Sequence, residues 1–524
     1  MSILLGIDVG TGSVRVGAID PDGVTLATGK AGHPTRWPRP GWAEQDPTDW
    51  WTALRDALNQ ALAGLDRSQV IGIGVSTTSS TVVILDEGGR PLRDAIVWMD
   101  NRAADEAELT ERTDHPVMRY SGGGAAVEWL VPKAMWLARH EPEVYRRAHR
   151  IVEAVDYLNW RLTGRWAATK LNATCKLHYD PIEGRFPAEL YEELGVGDLP
   201  TKWPETVLPV GACVGTLTES VAHELDLPAG VLVAEGGIDA HMGMLGMNAV
   251  RPGDVGMVAG TSVVHITQSE GPVWHPGIWG PYPQALLEDR WLIEGGQVSA
   301  GSILAWLTRL TGTEDPGAHR DLAERAAQVP AGAKGLLVMD FWQGNRTPYR
   351  DARLRGAVLG LSLAHGASEI YRACVEALAY GTANVLAGFA DGGIITRQIK
   401  LSGGIRHDPL WLQVTADVLQ QPVELMEAEN ATLRAGAIAA AVATGREPEL
   451  LTASDRLSSP TRTIEPRPEL AEIYQDGLGR YRAAVEALRE PLHDAADRAE
   501  HHEGDAVTST SSDAAPNGEG SHGR

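Results

Sequence analysis

The sequence predicts an α/β protein that contains the same strand–turn–strand unit twice. Strands alternate with helices along the 524 residues, which indicates sheets whose faces are covered by helices. Near the N-terminus, an apolar strand at 3–9 runs into the turn Gly-Thr-Gly-Ser at 10–13 and then into a second strand. In the other half, the strand 255–259 precedes Gly-Thr-Ser at 260–262. This repeat predicts a duplicated fold whose two turns bind one phosphate chain.

The first half begins with a meander of strands at 3–9, 15–19 and 25–27, in which Pro-Asp-Gly at 21–23 forms the hairpin turn. Pro47 opens an amphipathic helix that runs to about Leu62. Strands follow at 70–76 and 81–85, and residues 103–200 are mostly helical.

The second half repeats the pattern after the strand 255–259. A further strand at 263–267, a long helix after Glu294 and a helix at 368–389 follow in order. The strand 398–401 then runs into Ser-Gly-Gly at 402–404 and a helix at 409–419.

The length is too great for one domain of typical size. We place an N-terminal domain at 1–247 and a C-terminal domain at 248–488. Residues 489–524 are rich in polar and small side chains without apolar periodicity, which predicts a disordered tail.

The net charge of −23 argues against nucleic acid or an anionic membrane as the main partner. The three cysteines are far apart in the sequence and do not follow the spacing of a disulfide framework or a zinc site. This favours a protein of the reducing cytoplasm. The first residues have no basic segment and reach Asp8 at once, so they predict a strand and not a signal peptide. The apolar run 435–444 is too short to span a bilayer.

The turn after the first strand has the residue types of a phosphate site. Gly10 and Gly12 let the backbone approach a phosphate, Thr11 and Ser13 add hydroxyl donors, and Arg15 adds positive charge. Asp8 at the strand end suits Mg²⁺ bound through water. The turn has neither the lysine of a Walker loop nor the helix that follows a Rossmann fingerprint. A glycine-rich hairpin without function is the alternative.

The second turn, formed by Gly260, Thr261 and Ser262, repeats this chemistry. Between the two turns, Asp239 follows Gly-Gly-Ile at 236–238 after an apolar strand. A carboxylate there can accept the proton of an attacking alcohol, although an aspartate that caps a helix would look the same. His241 is better explained as structural.

The remaining candidates carry weaker signals. Gly403 and Gly404 lie between a strand and a helix, where a turn can border an adenosine or simply connect the two elements. Polar residues also stand beside aromatic ones at Glu128-Trp129, Lys176 and Glu294, but their spacing alone does not select them as sugar ligands.

Taken together, these stretches resemble the FGGY family of carbohydrate kinases, within the actin, hexokinase and heat-shock ATPase superfamily. The resemblance covers roughly residues 3–485, and the sequence looks most like ribulokinases and related pentulose kinases. The stretches that carry it are 5–13, 96–103, 128–133, 153–164, 237–241, 248–262, 294–297, 344–348, 356–361 and 401–408.

The resemblance implies two actin-like (ribonuclease H-like) α/β domains with a central cleft, and an ATP- and Mg²⁺-dependent kinase of a sugar or polyol. It implies that Trp129, Lys176, Asp239 and Glu294 face the sugar, and that Gly301 joins Gly403 and Gly404 beside the nucleotide. By analogy with the family, a homodimer is expected.

We therefore expect Asp239 to be the base in phosphoryl transfer to a terminal hydroxyl of a pentulose, with ribulose the first choice. One alternative is the same chemistry on erythritol, xylitol, xylulose or glycerol. The other, less favoured, is a chaperone or filament ATPase, in which sugar-facing residues beside Asp239 would have no role.

Overall fold

The structure, a computed structural model, describes residues 2–311 and 317–510. The helices and strands of the first half are, in chain order, β1 (Ile3–Val9), β2 (Ser13–Ile19), β3 (Thr25–Gly32), β4 (Glu44–Gln45), α1 (Pro47–Ala61), β5 (Val70–Thr77), β6 (Val82–Leu85), β7 (Ala95–Ile96), α2 (Ala104–Thr110), α3 (Leu130–His140), α4 (Pro142–Arg147), β8 (Arg150–Glu153), α5 (Ala154–Thr163), β9 (Ala168–Thr169), α6 (Lys170–Lys176), α7 (Ala188–Glu193), β10 (Val207–Leu208), β11 (Cys213–Thr216), α8 (Glu219–Leu225), β12 (Leu232–Ile238) and α9 (Asp239–Met247).

Those of the second half are β13 (Asp254–Ala259), β14 (Val263–Ser269), β15 (Trp279–Pro283), β16 (Trp291–Gln297), α10 (Gly301–Leu310), α11 (Ala318–Ala327), β17 (Leu337–Met339), β18 (Ala357–Leu359), α12 (Ala367–Asp391), β19 (Gln398–Ser402), α13 (Pro409–Leu419), β20 (Val423–Met426), α14 (Ala431–Ala443), α15 (Leu450–Leu457), β21 (Thr461–Ile464) and α16 (Ala471–Thr510). Short 3₁₀ helices lie at Arg67–Gln69, Pro116–Ser121, Leu199–Lys202, Ala333–Gly335, Gly404–His407 and Pro468–Leu470.

Each half contains a large sheet, and the two sheets are built alike. The first has the order β11-β12-β5-β1-β2-β3, and the second has the order β15-β16-β14-β13-β19-β20-β21. In each, the first strand pairs antiparallel with the next one, β1 with β2 and β13 with β14. On its other side it pairs parallel with a later strand, β1 with β5 and β13 with β19. The duplication predicted from the two turns is present, and the predicted α/β fold with two actin-like domains is confirmed.

The two halves share a helix. α14 comes from the second half of the chain but packs against the first sheet. A Cβ at Gly6 would lie 1.7 Å from the carbonyl oxygen of Leu433, and one at Gly74 would lie 2.1 Å from that of Gly436. Only glycine on these strands lets the helix backbone come so close. The domain boundary at 247–248 stays a prediction.

The C-terminal segment, predicted to be disordered from residue 489, continues as a helix in the structure. α16 continues through residue 489 without a break and ends at Thr510. Within it Leu492 and Ala496 are buried, and Leu492 belongs to the core of the second half. The prediction of a disordered tail is therefore wrong for 489–498, because single apolar residues at helical spacing are enough to dock a helix on an existing core. Residues 511–524 of the predicted tail lie outside the described residues.

α12 is the one helix, among the residues that the structure describes, with the length and apolar composition to cross a membrane. Its apolar stretch is 83% buried inside the protein. Side chains such as Tyr371, Leu378 and Val385 form part of the second core. α12 therefore serves as a core helix of the second half.

Candidate active site

The turn between β1 and β2 borders open space. The N–H of Gly10 donates to the carbonyl oxygen of Ser13 (3.1 Å), which closes the turn. A Cβ added at Gly12 would meet no atom within 4 Å. The hydroxyl of Thr11 accepts a hydrogen bond from the indole Nε1 of Trp98 (3.0 Å). Because that oxygen accepts the hydrogen bond from the indole, the hydroxyl's own proton can be donated to a ligand.

Asp8 stands at the end of β1 and is buried. Its Oδ2 accepts hydrogen bonds from Nη1 of Arg15 (3.0 Å) and from Nδ2 of Asn430 (3.1 Å). Burial raises the pKa of Asp8, while the positive charge of Arg15 opposes that shift. Asn430 also caps α14, since its Oδ1 accepts from the N–H groups of Thr432 and Leu433. Asp8, the predicted metal residue, is thus hydrogen-bonded to the N-cap of α14, the helix that packs on the first sheet.

The second turn is joined by hydrogen bonds to a separate stretch of the chain. The N–H of Gly260 donates to the carbonyl oxygen of Ser262 (2.8 Å), and the N–H of Gly301 donates to that of Gly260 (2.9 Å). The carbonyl oxygen of Thr261 accepts from the N–H of Ala300 (2.9 Å). The start of α10 therefore lies directly against the turn.

Gly403 completes this region at the end of β19. A Cβ there would lie 2.6 Å from the carbonyl oxygen of Ala259, and its φ of +96° favours glycine. A Cβ at Gly404 would lie 3.6 Å from Cα of Gly260. The structure thus brings the predicted nucleotide residues of the second half together, from β13, α10 and the loop after β19.

Asp239 is the first residue of α9 and follows β12 directly. Its Oδ1 accepts a hydrogen bond from the N–H of the next residue, Ala240 (2.7 Å), but the N-cap of α9 is Ile238 and no side chain caps the helix, so the helix-capping alternative does not describe Asp239. Burial, and then the nearby charge of Asp8, raise the pKa of Asp239 from 3.8 to about 7. A carboxylate that only caps a helix would have a low pKa, because the helix dipole favours its ionised form. Asp239 is instead suited to exchange a proton near neutral pH.

Three of the residues that the family resemblance assigned to the sugar form one cluster. Nζ of Lys176 lies 3.8 Å from Oε2 of Glu294 and 4.8 Å from the ring centre of Trp129. All three residues are more than nine-tenths buried. Although burial favours the protonated acid, Lys176 and His241 hold the pKa of Glu294 below its ordinary value. The cluster therefore offers a charged acceptor, a charged donor and a flat apolar ring.

His241 connects this cluster to α9. Its Nε2 donates a hydrogen bond to Oε2 of Glu294 (3.3 Å), and burial lowers the pKa of the imidazole. His241 lies on the same first turn of helix as Asp239. The fourth predicted sugar residue, Asp239, begins the same helix two residues before His241.

Arg346 is a member of the site that sequence reasoning missed. Its Nη2 donates to Oε1 of Glu128 (3.3 Å) in the first half, and its Nη1 lies 3.9 Å from Oε1 of Glu294 in the second. The stretches around Glu128 and Arg346 were both part of the family resemblance. Nothing in their spacing, however, indicated that they meet. Asn430 and Trp98 were missed for the same reason, since their partners are distant in the chain.

The residues suit the chemistry of a phosphorylated nucleotide and a divalent cation. The backbone at Gly12 and at Gly260 borders open space, as a phosphate cradle requires. Asp8 supplies carboxylate oxygens, the donors that Mg²⁺ prefers. Among the residues described, no group of three or more histidine, cysteine or acidic side chains is placed to hold a metal. This arrangement fits an ion held largely by phosphate oxygens and water.

Two alike sheets that each carry a glycine-lined turn, with a carboxylate of raised pKa near the first turn, are typical of a phosphotransferase of the actin-like ATPase class. Residues 3–246 match the N-terminal domain of the FGGY family of carbohydrate kinases, and residues 255–444 match its C-terminal domain. The chain belongs to this family, and it is an enzyme that phosphorylates carbohydrate.

Individual relatives support the assignment over most of the chain. An "FGGY carbohydrate kinase domain-containing protein" of Xenopus laevis is 31% identical, over 90% of this chain and 94% of that protein. A ribulokinase of Bacillus licheniformis is 32% identical, over 77% of this chain and 79% of that protein. The solved xylulose kinase from Rhodospirillum rubrum superposes with a TM-score of 0.82 at 28% identity, over 94% of this chain and 100% of that chain.

Proposed function

We propose that this enzyme transfers the terminal phosphoryl group of ATP to a terminal hydroxyl of a pentulose, with ribulose as the first choice. The observation that carries the proposal is the position of Asp239. Its carboxyl group is close enough to Asp8 for their charges to interact, and it stands at the start of the helix from which His241 bonds Glu294 in the sugar cluster. A base between a phosphate site and a sugar site is what phosphoryl transfer to an alcohol requires.

In this reaction Asp239 accepts the proton of the sugar hydroxyl as its oxygen attacks the terminal phosphorus. Thr11, Thr261 and the N–H groups of both turns hold the phosphates, and Gly301, Gly403 and Gly404 border the rest of the nucleotide. Arg15, close to the first turn, adds positive charge. Positioning and charge stabilisation supply most of the rate enhancement in such reactions.

Mg²⁺ is the cation that fits Asp8, which would hold it through water while the phosphates supply further oxygens. When bound, the ion neutralises negative charge on the transferred phosphoryl group. The contribution of Asp8 to cation binding is a carboxylate held in a fixed position. Its hydrogen bonds to Arg15 and Asn430 fix the carboxylate at the end of β1.

The sugar lies, in this proposal, against the ring of Trp129, with Lys176 and Glu294 binding its hydroxyls. Ribulose is favoured because several ribulokinases are 28–32% identical to this chain. A second candidate is xylulose or another ketose or polyol, such as erythritol, xylitol or glycerol, since the similar solved structures include xylulose kinases at 27–28% identity.

A coupled assay of ATP consumption tests both candidates, with D- and L-ribulose, D- and L-xylulose, erythritol, xylitol and glycerol as acceptors. The highest kcat/KM with ribulose supports the proposal, the highest with xylulose keeps the pentulose but supports the second candidate, and preference for a polyol contradicts the choice of a pentulose. ATP consumption that no acceptor accelerates would favour the chaperone or filament ATPase. The cytoplasmic location, the lack of nucleic-acid or membrane partners and the homodimer remain predictions of the sequence.

A further inference from the structure

Three buried polar atoms around Trp129 have no hydrogen-bond partner among the residues that the structure describes. They are the indole Nε1 of Trp279, the hydroxyl of Tyr282 and Nε2 of His178. Neither the sequence nor the family resemblance assigned any of these residues a role. A buried polar group without a partner costs about 1–3 kcal/mol, so three of them in one place call for an explanation.

The three residues surround the predicted sugar cluster. The ring of Trp129 lies 5.7 Å from that of Trp279 and 5.8 Å from that of His178, centre to centre. Nζ of Lys176 lies 5.9 Å from the ring centre of Tyr282. Two separate segments of the chain, β15 and the stretch just after α6, therefore bring three unpaired polar atoms to the same cluster.

The strand pairing places β15 directly beside the sugar-facing strand. Trp279 is the register partner of Glu294 across β15 and β16, and Tyr282 pairs with Leu292. Burial and the negative charge of Glu294 raise the pKa of Tyr282 well above its ordinary value. Tyr282 therefore keeps its proton and remains a hydrogen-bond donor at any pH at which the enzyme works.

His178 has a strained backbone in addition to an unpaired ring nitrogen. Its φ of +58° lies in the left-handed region, which costs a residue other than glycine of the order of 1 kcal/mol. Burial, and then the charge of His115, lower the pKa of His178 to about 4, so the imidazole is neutral near pH 7. Strain of this kind persists where the surroundings fix a side chain in place.

The position of this set relative to the phosphate turns follows from the contacts. Asp8 lies near Asp239 at the start of α9, His241 two residues further along that helix bonds Glu294, and Trp279 is the register partner of Glu294. The unpaired atoms, which gather around Trp129 and Trp279, therefore come last in this order, counted from Asp8 and the first turn. A pentulose that offers its last hydroxyl to Asp239 would direct its first hydroxyl toward them.

We propose that Trp279 and Tyr282, with His178 beside them, are specificity-determining residues that hydrogen-bond the hydroxyl of the sugar most distant from the phosphorylated one. This inference rests on the proposed function. A site with buried donors discriminates strongly against a substrate that lacks the matching hydroxyl, because its own polar groups are then left unpaired. β15 would thereby select for chain length and for a first-carbon hydroxyl.

The test compares the ketopentose that the wild type phosphorylates best with its 1-deoxy analogue, in the wild type, Tyr282→Phe and Trp279→Phe. We expect the wild type to favour the complete sugar about tenfold or more in kcat/KM. In at least one variant that ratio should fall to about threefold or less, because the partner of the missing hydroxyl is itself gone. The KM for ATP should be unchanged.

Tyr145→Phe and Trp166→Phe are the matched controls, since Tyr145 bonds Asp198 and Trp166 stacks on Trp160 elsewhere in the first half. Both should keep the wild-type ratio. A wild-type ratio near one, or the same ratio in both β15 variants as in the wild type, overturns the inference while the kinase activity stands. A wild type that phosphorylates none of the sugars refutes the proposed function, and the inference with it.

Discussion

Replacement of Asp239 by asparagine removes the proposed base and keeps the shape of the side chain. The pKa of Asp239 is raised from 3.8 to about 7, a difference of about 3 units or about 4 kcal/mol between its two protonation states. A pKa near 7 suits a general base in an enzyme that works near neutral pH. We expect kcat to fall about 10²–10⁴-fold, the usual contribution of such a group. The KM for ATP should change little, because the phosphate turns do not include this carboxylate.

The assay is coupled ATP consumption with a saturating sugar, measured between roughly pH 5.5 and pH 9. In the wild type kcat should rise with pH through about 7, as Asp239 loses its proton. In Asp239→Asn this rise should be absent. Turnover within a few-fold of the wild type, or a variant that keeps the same rise near pH 7, would refute the assignment of Asp239 as the base.

Stability measurements distinguish loss of a base from loss of the fold. Because the folded-state pKa of Asp239 is above its unfolded value, the folded protein binds more protons between pH 3.8 and about 7. The free energy of unfolding of the wild type therefore decreases as pH rises through that window. The decrease is at most about 4 kcal/mol, and less because water reaches the partly exposed side chain. Asp239→Asn should consequently unfold at a higher temperature than the wild type at pH 8.

Three further predictions concern the two binding regions. Glu294→Gln should raise the KM for the sugar about tenfold or more without changing that for ATP, because a charged acceptor is lost from the sugar cluster; equal effects on both substrates would contradict this. Trp98→Phe should lower kcat/KM for ATP about 2- to 10-fold by releasing the hydroxyl of Thr11, with unchanged thermal stability as the check that the fold is intact. Gly403→Ala should lower the free energy of unfolding by at least about 1–2 kcal/mol, because its φ is positive and its Cβ would lie 2.6 Å from the carbonyl oxygen of Ala259, whereas Gly404→Ala should not; denaturant titration measures both, and equal losses would show that neither feature is the cause.

The local elements were largely predictable because their signals are short in sequence. The strand–turn–strand units at Gly10 and Gly260 depend on apolar runs, glycines and small hydroxyl residues that lie side by side in the chain. The helix predicted at 409–419 occupies Pro409–Leu419. The C-terminal boundary was predicted wrongly, because polar composition hid the few side chains, among them Ala496, that dock α16 on the core.

The candidate site was predictable only in part. Lys176 and Glu294 entered through family resemblance, and their spacing gave no reason to pair them, yet they form an ion pair. Arg346, Asn430 and Trp98 could not be assigned at all, because each acts on a residue far away in the chain.

The sequence by itself determined a duplicated α/β fold, two phosphate turns and one carboxylate between glycines, since each is specified by neighbouring residues. Tertiary structure decided what that carboxylate can do. Burial, and then the nearby charge of Asp8, raise the pKa of Asp239 to about 7, and both come from the folded chain. Likewise, only the pairing of β15 with β16 places Trp279 beside Glu294. Charge interaction and burial depend on distance in space, which the order of residues does not record.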